Sequence, residues 1–575
     1  MAELMSPLVL IIIGVVVIAG ATAVAPKLNI AGPLILVLVG LGVSLLPFVP
    51  PVAVDPEIIL VGVLPPLLYS AAVSLPAIEF RRDLGHIAGL SVLLVIVSSI
   101  ALAFFFVAVI PGLPFLLALA LGAILSPTDA VATSIVKRLG LSRRVVTLLE
   151  GESLLNDATS LVLLRTAIAG VALAGVPAGG FIGAFVWGVI VALIVGGLIG
   201  YLNLRLRALV RHSAANTAIG FVVPFAAYLP TEHLGGSGLV AAVVAGIVTG
   251  QGSVRWFTPE QRRSDDLNWR TVELMLEGAV FLVMGLELKD ILAHNIRSDH
   301  GVGHGPLLAL TALGIVLVVR GVYVSVLVWL QSRRARGKRK EKLQRLSDRI
   351  DHAVAEHEAA RHPDAPPHHA RRLVAARRRI TRAFADLAYY QAAPLGWKHG
   401  TIIVWAGMRG VVTLAAAQTL PRDTPERPLL IFVAFLVAVG SLMLQGFTLP
   451  WLVRLLRLEP ASGDGASAHD RRRLDDELRS AAAAALSHDA LTRRDGSAFP
   501  AGMLERMRAR LTEPPDEDMS TMSGDLLDVR LTMIEAMRRR LIELSSGGEF
   551  STPALRHALA ELDADELSVR LRLDE

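Results

Sequence analysis

The chain has 575 residues, 53% of them hydrophobic, and no cysteine, which excludes disulfides, zinc–thiolate centres and iron–sulfur clusters. Its mean hydropathy is +0.55, and its apolar residues form blocks of about twenty, the length that crosses a bilayer. The net charge is only +5, but Arg and Lys mostly avoid the apolar blocks and gather in selected loops. These features predict an all-α polytopic membrane protein rather than a soluble domain.

Thirteen transmembrane spans are predicted, with centres near residues 15, 39, 66, 98, 126, 158, 192, 222, 243, 282, 317, 411 and 442. The first apolar block, Leu8 to Ala23, lacks a basic leader, so we expect a transmembrane helix rather than a cleaved signal peptide. Basic residues concentrate in the loops after the odd-numbered spans. The positive-inside rule then places the N-terminus outside and the C-terminus in the cytoplasm.

Two segments outside the spans are polar. Residues 331–399 form a long cytosolic loop between the eleventh and twelfth spans, and its basic opening, Arg333 to Lys340, is typical of an anchor beside anionic lipid. Residues 459–575 are rich in Arg and Glu, with apolar residues at helical spacing. We therefore predict a cytosolic helical tail, and neither segment indicates a chemical reaction.

The fifth span is interrupted by Ser126-Pro127-Thr128-Asp129. Proline removes a backbone donor and displaces the carbonyl four residues earlier, so it weakens a helix. A broken helix in mid-membrane frees carbonyl groups for a cation and orients partial helix charges, and Asp129 can neutralise a facing helix N-terminus. A simple proline kink with a paired aspartate is the alternative interpretation.

The sixth span contains Gly151-Glu152-Ser153-Leu154-Leu155-Asn156-Asp157. An ionisable side chain in hydrocarbon costs about 2.5–3.5 kcal/mol on insertion scales, so two nearby acids indicate a functional site. Ser153 and Asp157 are four residues apart and share one helical face, whereas Glu152 and Asn156 share the adjacent face. The hydroxyl and carboxylate predict an oxygen site for Na⁺ or Li⁺, and a proton competes for the same charge.

Glu152 is better suited to a structural ion pair with a buried cation on another helix. Arg320 in the eleventh span and Arg409 in the twelfth both qualify, and the sequence leaves the choice between them open. Two further acids lie in the tenth span. We expect Glu287 to lie in water near the outer end, and Glu277 to be a helix-terminal acid or part of a cytosolic entrance.

The combination of Ser126 to Ala132, Gly151 to Asp157 and Gly407-Met408-Arg409-Gly410 resembles the bacterial Na⁺/H⁺ antiporters of the cation:proton antiporter 1 family, the NhaP type. The likeness covers residues 5–457 and includes Leu64-Pro65-Pro66-Leu67-Leu68-Tyr69. It implies an inverted repeat in which the fifth and twelfth spans unwind and cross. It also implies a transport core that moves against a dimerisation bundle, and hence a homodimer.

By this resemblance, Asp157 is the carboxylate that binds either the cation or the proton, with Ser153 and a Thr128 oxygen as further Na⁺ ligands. In the family, the Asn-Asp pair marks the electroneutral branch, which implies one-for-one exchange. The chain departs from the family at Ser70, where an acid is common. A carboxylate near the cation entrance is therefore expected to be missing, which leaves K⁺ as an alternative to Na⁺.

The resemblance also assigns supporting roles. Asn156 and Asp129 support the crossing, and Glu152 forms the structural ion pair with Arg320 or Arg409. We expect no cofactor and no nucleic-acid partner. The expected place of action is the plasma membrane, with roles in pH and sodium homeostasis.

Other classes of function fit the sequence less well. An intramembrane hydrolase built on Ser153 would lack a Gly-x-Ser-x-Gly elbow and a mid-span histidine. The sequence has no Gly-x-x-x-x-Gly-Lys-Ser/Thr loop for an ATP-driven pump. A carboxylate between broken helices favours alternating access over a continuous channel. We predict a secondary antiporter and not an enzyme, with a proton-coupled transporter of another solute as an alternative.

Overall fold

A computed structural model describes residues 7–28, 30–47, 49–172, 178–210, 212–297, 301–334, 390, 395–458, 480–484, 486, 502–512, 527, 530–537 and 561–570. Helices dominate these residues, and no strand occurs among them. The chain divides into two units, Met1–Ala461 and Ser462–Glu575.

The first unit is a succession of helices, some of them continuous through a π-helical turn. The first part contains α1 (Pro7–Leu28), α2 (Gly32–Ser44), a π-turn (Ile58–Val63) leading into α3 (Leu64–Ser74), and α4 (Ala77–Ala88) joined by a second π-turn (Gly89–Leu93) to α5 (Leu94–Val109). The next helices are α6 (Phe115–Leu125), α7 (Val131–Arg138), α8 (Arg143–Ala172), α9 (Ala178–Leu209), α10 (Ser213–His233) and α11 (Gly238–Trp256). The last are α12 (Pro259–Leu286), α13 (Leu288–Arg297), α14 (Gly301–Arg334), α15 (Trp397–Trp405), α16 (Val411–Gln418) and α17 (Arg427–Leu455).

Within the described residues, six helices are long and apolar enough to cross a membrane: Ile11–Leu28, Ile78–Val109, Arg143–Val171, Ile182–Leu209, His304–Leu330 and Arg427–Leu455. Four shorter apolar helices accompany them. Each predicted span centre lies in a helix, except that near residue 126, which falls in the break between α6 and α7. The thirteen crossings and the inverted repeat stay predictions.

Helices α3 and α12 form one wall of the site described below, and each packs closely against a neighbouring helix. A Cβ atom on Gly246 or Gly250 of α11 would collide with the backbone of α3. Gly285 of α12 likewise meets the backbone of α2 at Gly40. Small residues at such contacts let helix backbones approach in a membrane, where van der Waals packing drives association.

The polar segments are described only in part. Helix α14 continues to Arg334, so the predicted 331–399 loop begins within it, and most of that loop, 335–389 and 391–394, lies outside the described residues. The second unit contains α18 (Met503–Thr512) and helical residues 480–484, 530–537 and 561–570. These pieces are helical, as predicted for the tail, while its cytosolic location stays a prediction.

Candidate functional site

Two interrupted helices meet at the centre of the site. Residues 126–130 separate α6 from α7, and residues 406–410 separate α15 from α16. The backbone N–H of Asp129 donates to the carbonyl of Met408 at 2.7 Å, which joins the two breaks directly. A Cβ atom at Gly410 would overlap the Asp129 carboxylate, so only glycine fits here without a shift.

Charged side chains neutralise the broken helix ends. Asp129 Oδ1 accepts from the N–H of Val131 at 2.9 Å, at the N-terminus of α7. The buried Arg409 guanidinium donates to the carbonyl of Leu125 at 2.9 Å, where α6 ends, and to that of Gly407, just after α15. Helix N-termini carry partial positive charge and C-termini partial negative charge, so each side chain faces the opposite sign.

Arg320 is the partner of Glu152. Its Nη2 donates to Glu152 Oε2 at 2.9 Å, and its Nη1 donates to Oε1, so both carboxylate oxygens are bound. Arg320 also donates twice to the carbonyl of Ile403, at 3.0 and 2.8 Å. Both charged side chains are almost fully buried. Of the two arginines that the sequence left open, Arg320 holds Glu152 and Arg409 binds the crossing.

The Thr128 hydroxyl connects two residues of α8. Asn156 Nδ2 donates to Thr128 Oγ1 at 2.7 Å, and that hydroxyl donates to Glu152 Oε1 at 3.3 Å. The hydroxyl therefore links Asn156 and Glu152, which holds Thr128 of the first break against α8. The Oδ1 of Asn156 is buried without a hydrogen-bond partner in the described part of the chain.

Asp157 lies in a different environment, on a cavity of about 270 Å³. Ser153, Thr128 and Asp129 line the same cavity, so the shared face of Ser153 and Asp157 is the face turned to it. The lining contains five carboxylates and one lysine: Asp129, Glu150, Asp157, Glu273, Glu277 and Lys137. Low-dielectric walls of one charge sign focus the field and attract cations.

The cavity opens beside Glu150 and Lys137. These two side chains form an ion pair and are 21% and 57% exposed, respectively. A larger cavity of about 710 Å³ lies along the other end of α8, but its lining is mostly apolar. Its one charged lining residue, Arg165, is paired with Glu232. Of these two cavities, the smaller one offers the carboxylate oxygens that bind a cation.

The acids of α12 differ from the sequence prediction. Glu287 is 2% exposed and accepts from the N–H of Val54 at 3.2 Å and from Nε2 of Gln418 at 3.0 Å. The expectation that Glu287 lies in water is therefore wrong, because two distant segments cover it. Glu277 is not helix-terminal either, since α12 continues to Leu286 and the side chain lines the cavity.

Glu273 is the residue that sequence reasoning missed. The Ser70 hydroxyl of α3 donates to Glu273 Oε2 at 3.3 Å, so an acid from α12 lies beside the position where an acid was expected to be missing. The spacing of Glu273 and Glu277, four residues apart on one helical face, was the available signal.

Two arginines that lie near the loops after odd-numbered spans, Arg144 and Arg207, are buried. Arg144 donates to Asp83 at 3.1 and 3.2 Å. Arg207 donates to Asp265 at 2.7 Å and to Asn216 at 2.7 Å. Both positions agree with the concentration of basic residues near these loops. Their side chains, however, form hydrogen bonds between helices.

Two interrupted helices that meet beside a buried, acid-lined cavity define an ion-coupled membrane transporter. The model of the family described as "Sodium/hydrogen exchanger, transmembrane" matches residues 13–347 and 369–455, so the chain belongs to that family. It is a family of transporters, not of catalytic enzymes. The predicted resemblance to Na⁺/H⁺ antiporters is thereby confirmed.

Individual relatives agree. The chain is 36% identical over 299 residues to the uncharacterised Na⁺/H⁺ exchanger YjcE of Escherichia coli, covering 50% of this chain and 54% of YjcE. It is 29% identical over 463 residues to an uncharacterised Na⁺/H⁺ exchanger of Mycobacterium tuberculosis, covering 78% and 75%. It is 27% identical over 461 residues to the Na⁺/H⁺ antiporter NhaG of Bacillus atrophaeus, covering 77% and 74%.

A solved structure shares the fold. The sodium proton antiporter MjNhaP1 from Methanocaldococcus jannaschii superposes with a TM-score of 0.54 at 16% identity, covering 78% of this chain and 98% of that one. At this identity the match establishes the fold alone. Together, the family and the antiporter relatives support cation/proton antiport.

Proposed function

We propose that the protein is a secondary active antiporter that exchanges Na⁺, and also Li⁺, for H⁺ across the plasma membrane, one ion for one proton. The observation that carries this proposal is the contrast between two buried acids of α8. Arg320 binds both oxygens of Glu152, and Arg409 binds backbone carbonyls at the crossing. Neither arginine neutralises Asp157, which faces the cavity.

Exchange follows from competition for this one carboxylate. Asp157 binds a proton or a dehydrated Na⁺, and the Ser153 hydroxyl and a Thr128 oxygen supply further ligands. Asn156 and Asp129 hold the crossing in place through their contacts with Thr128 and Met408. One carboxylate carries one positive charge in each direction, so the cycle moves no net charge.

Alternating access needs an opening on one side at a time. The cavity opens beside Lys137 and Glu150, next to a loop that the positive-inside rule places in the cytosol. At the other end of α8, Arg165 pairs with Glu232 of α10. We infer an inward-facing arrangement, in which a core containing α8 and the crossing moves against the helices around α3 and α12. The latter helices would also form a homodimer.

Everted membrane vesicles from a host without its own antiporters provide the test. Addition of Na⁺ should collapse an imposed pH gradient, as reported by a pH-sensitive dye, and Asp157→Asn or Asp157→Ala should abolish the response. Asp266→Asn is the matched control, because Asp266 lies on α12 with 57% of its side chain exposed. Exchange that persists in either Asp157 variant, at normal protein levels, would contradict the assignment.

The same vesicles decide the remaining alternatives. A response to K⁺ equal to or above that to Na⁺ and Li⁺ would favour a K⁺/H⁺ antiporter. No response to any of the three cations would favour a proton-coupled transporter of another solute. If the rate changes when a potassium ionophore clamps the membrane potential, one-for-one exchange is wrong.

A further inference from the structure

We propose that Glu273, Ser70 and Thr133 form a second monovalent-cation site, in which a partly hydrated Na⁺ or K⁺ waits between the cytosolic opening and Asp157. The inference deepens the proposed function and rests on it for the direction of ion entry. The site is built from three helices that meet on one cavity.

Glu273 is an available carboxylate. It lies half-buried on the cavity wall, and the Ser70 hydroxyl donates to its Oε2 at 3.3 Å. The basic residues in electrostatic range are Lys137 and Arg270. Lys137 is paired with Glu150, and Arg270 with Asp266, so each already has an acid of its own. Neither basic residue therefore neutralises Glu273, and a bound cation would do so.

Thr133 provides an independent indication of a ligand. Its side chain, on α7, is 4% exposed and lines the same cavity. Its hydroxyl oxygen has no hydrogen-bond partner within the described ranges. An unsatisfied buried polar group costs about 1–3 kcal/mol, so such a group on a cavity wall indicates that something polar binds there. A cation with its remaining water would satisfy this oxygen.

The neighbouring acids connect this site to Asp157. Glu273 interacts electrostatically with Glu150 at the opening, and Glu277 interacts with both Glu273 and Asp129. Asp129 in turn interacts with Asp157. Glu273 and Glu277 are one helical turn apart, about 6 Å along α12. A cation that leaves Glu273 therefore meets another carboxylate within one turn on its way to Asp157.

A waiting site supplies cations to Asp157 without taking part in its competition with the proton. Its loss should raise the apparent KM for the cation by about three- to tenfold and leave the maximal rate nearly unchanged. The loss of Asp157 itself removes the exchange altogether. The two effects separate this inference from the proposed function.

The geometry allows a relocation test. Glu273→Ser removes the carboxylate, and the double variant Ser70→Glu/Glu273→Ser returns it from the other side of the same contact. In everted vesicles we expect the single variant to raise the KM for Na⁺ and the double variant to restore it to within about twofold of the wild type. Glu260→Ser, on the exposed first turn of α12, should leave KM unchanged. A raised KM that the double variant does not restore would make Glu273 a structural residue and overturn the proposal.

Binding can be measured without transport. In purified full-length Asp157→Asn protein, the ²³Na NMR line should still broaden through binding at the second site. Adding Glu273→Ser should remove the broadening, adding Glu260→Ser should not, and adding Ser70→Glu/Glu273→Ser should return it. Broadening that Glu273→Ser leaves unchanged overturns the second site, even where the vesicles show exchange that depends on Asp157. Wild-type vesicles without any cation-dependent exchange would instead contradict the proposed function.

Discussion

Glu152 and Asp157 lie five residues apart on α8, yet their surroundings differ in almost every respect. The Glu152 region is closed: the carboxylate is 1% exposed and Arg320 of α14 binds both of its oxygens. The Asp157 region is an acid-lined cavity with walls from α3 and α12. The two acids occupy neighbouring faces of one helix, so the helix that each face meets decides whether the carboxylate is paired or available.

This difference predicts separate roles for the two acids, Glu152 in stability and Asp157 in exchange. A buried ion pair compensates two desolvated charges, and removing one partner leaves the other uncompensated. A buried acid without a cationic partner destabilises the folded state. Such destabilisation is tolerated where the acid is needed for function. Glu152 should therefore matter mainly for folding and Asp157 mainly for transport.

The largest expected change in stability follows from breaking the pair of Glu152 and Arg320. Glu152→Gln should lower the free energy of unfolding by about 3–5 kcal/mol, because it leaves the Arg320 guanidinium buried without its counter-ion. Thermal unfolding of the purified protein in detergent measures the change. Glu152→Gln/Arg320→Gln should lose less than the sum of the two single variants, since the pair acts as a unit. A single variant as stable as the wild type would show that the comparison is wrong.

Substitution of Asp157 should leave the stability of the protein unchanged or increase it. Asp157→Asn should keep the stability of the wild type or gain up to about 1 kcal/mol, since it removes an unpaired buried acid at the cost of function. Na⁺ should raise the unfolding temperature of the wild type more than that of this variant, which keeps only the Glu273 site, because a ligand that binds only the folded state stabilises it. Destabilisation comparable to that of Glu152→Gln would place Asp157 among the structural residues.

The smallest expected change in stability comes from an arginine–glutamate pair that is more exposed than Arg320 and Glu152. Arg165 also pairs a guanidinium with a carboxylate, Glu232, but the two side chains are 42% and 26% exposed. Arg165→Gln should cost only about 0.2–1 kcal/mol, because solvent screens the pair. The cost should shrink further in high salt. A loss as large as that expected for Arg320→Gln would mean that burial does not explain the contrast.

Much of this arrangement could be predicted from local sequence. The proline break at Ser126 to Asp129 and the polar run from Gly151 to Asp157 stand out because each places costly groups in an apolar block. The helical period then put Ser153 with Asp157 on one face, and both line the cavity. The family followed from the order of such motifs, and the family match confirms it.

Other features could not be read from the sequence. Arg320 and Arg409 were equivalent as partners of Glu152, and Glu287 was expected in water. The absence of an acid at Ser70 gave no indication of Glu273, whose carboxylate contacts Ser70 from α12. In each case, the answer depends on which faces of separate helices meet.

The sequence by itself determined the class of protein, the break at Pro127 and the acids of α8, because burial cost and helical period are properties of a short stretch of chain. Tertiary structure decided the pairing of Glu152 with Arg320, residues 168 positions apart, and the meeting of Ser70 with Glu273, 203 positions apart. Such contacts follow from the packing of whole helices, in which small residues such as Gly246 and Gly285 set how closely the backbones approach.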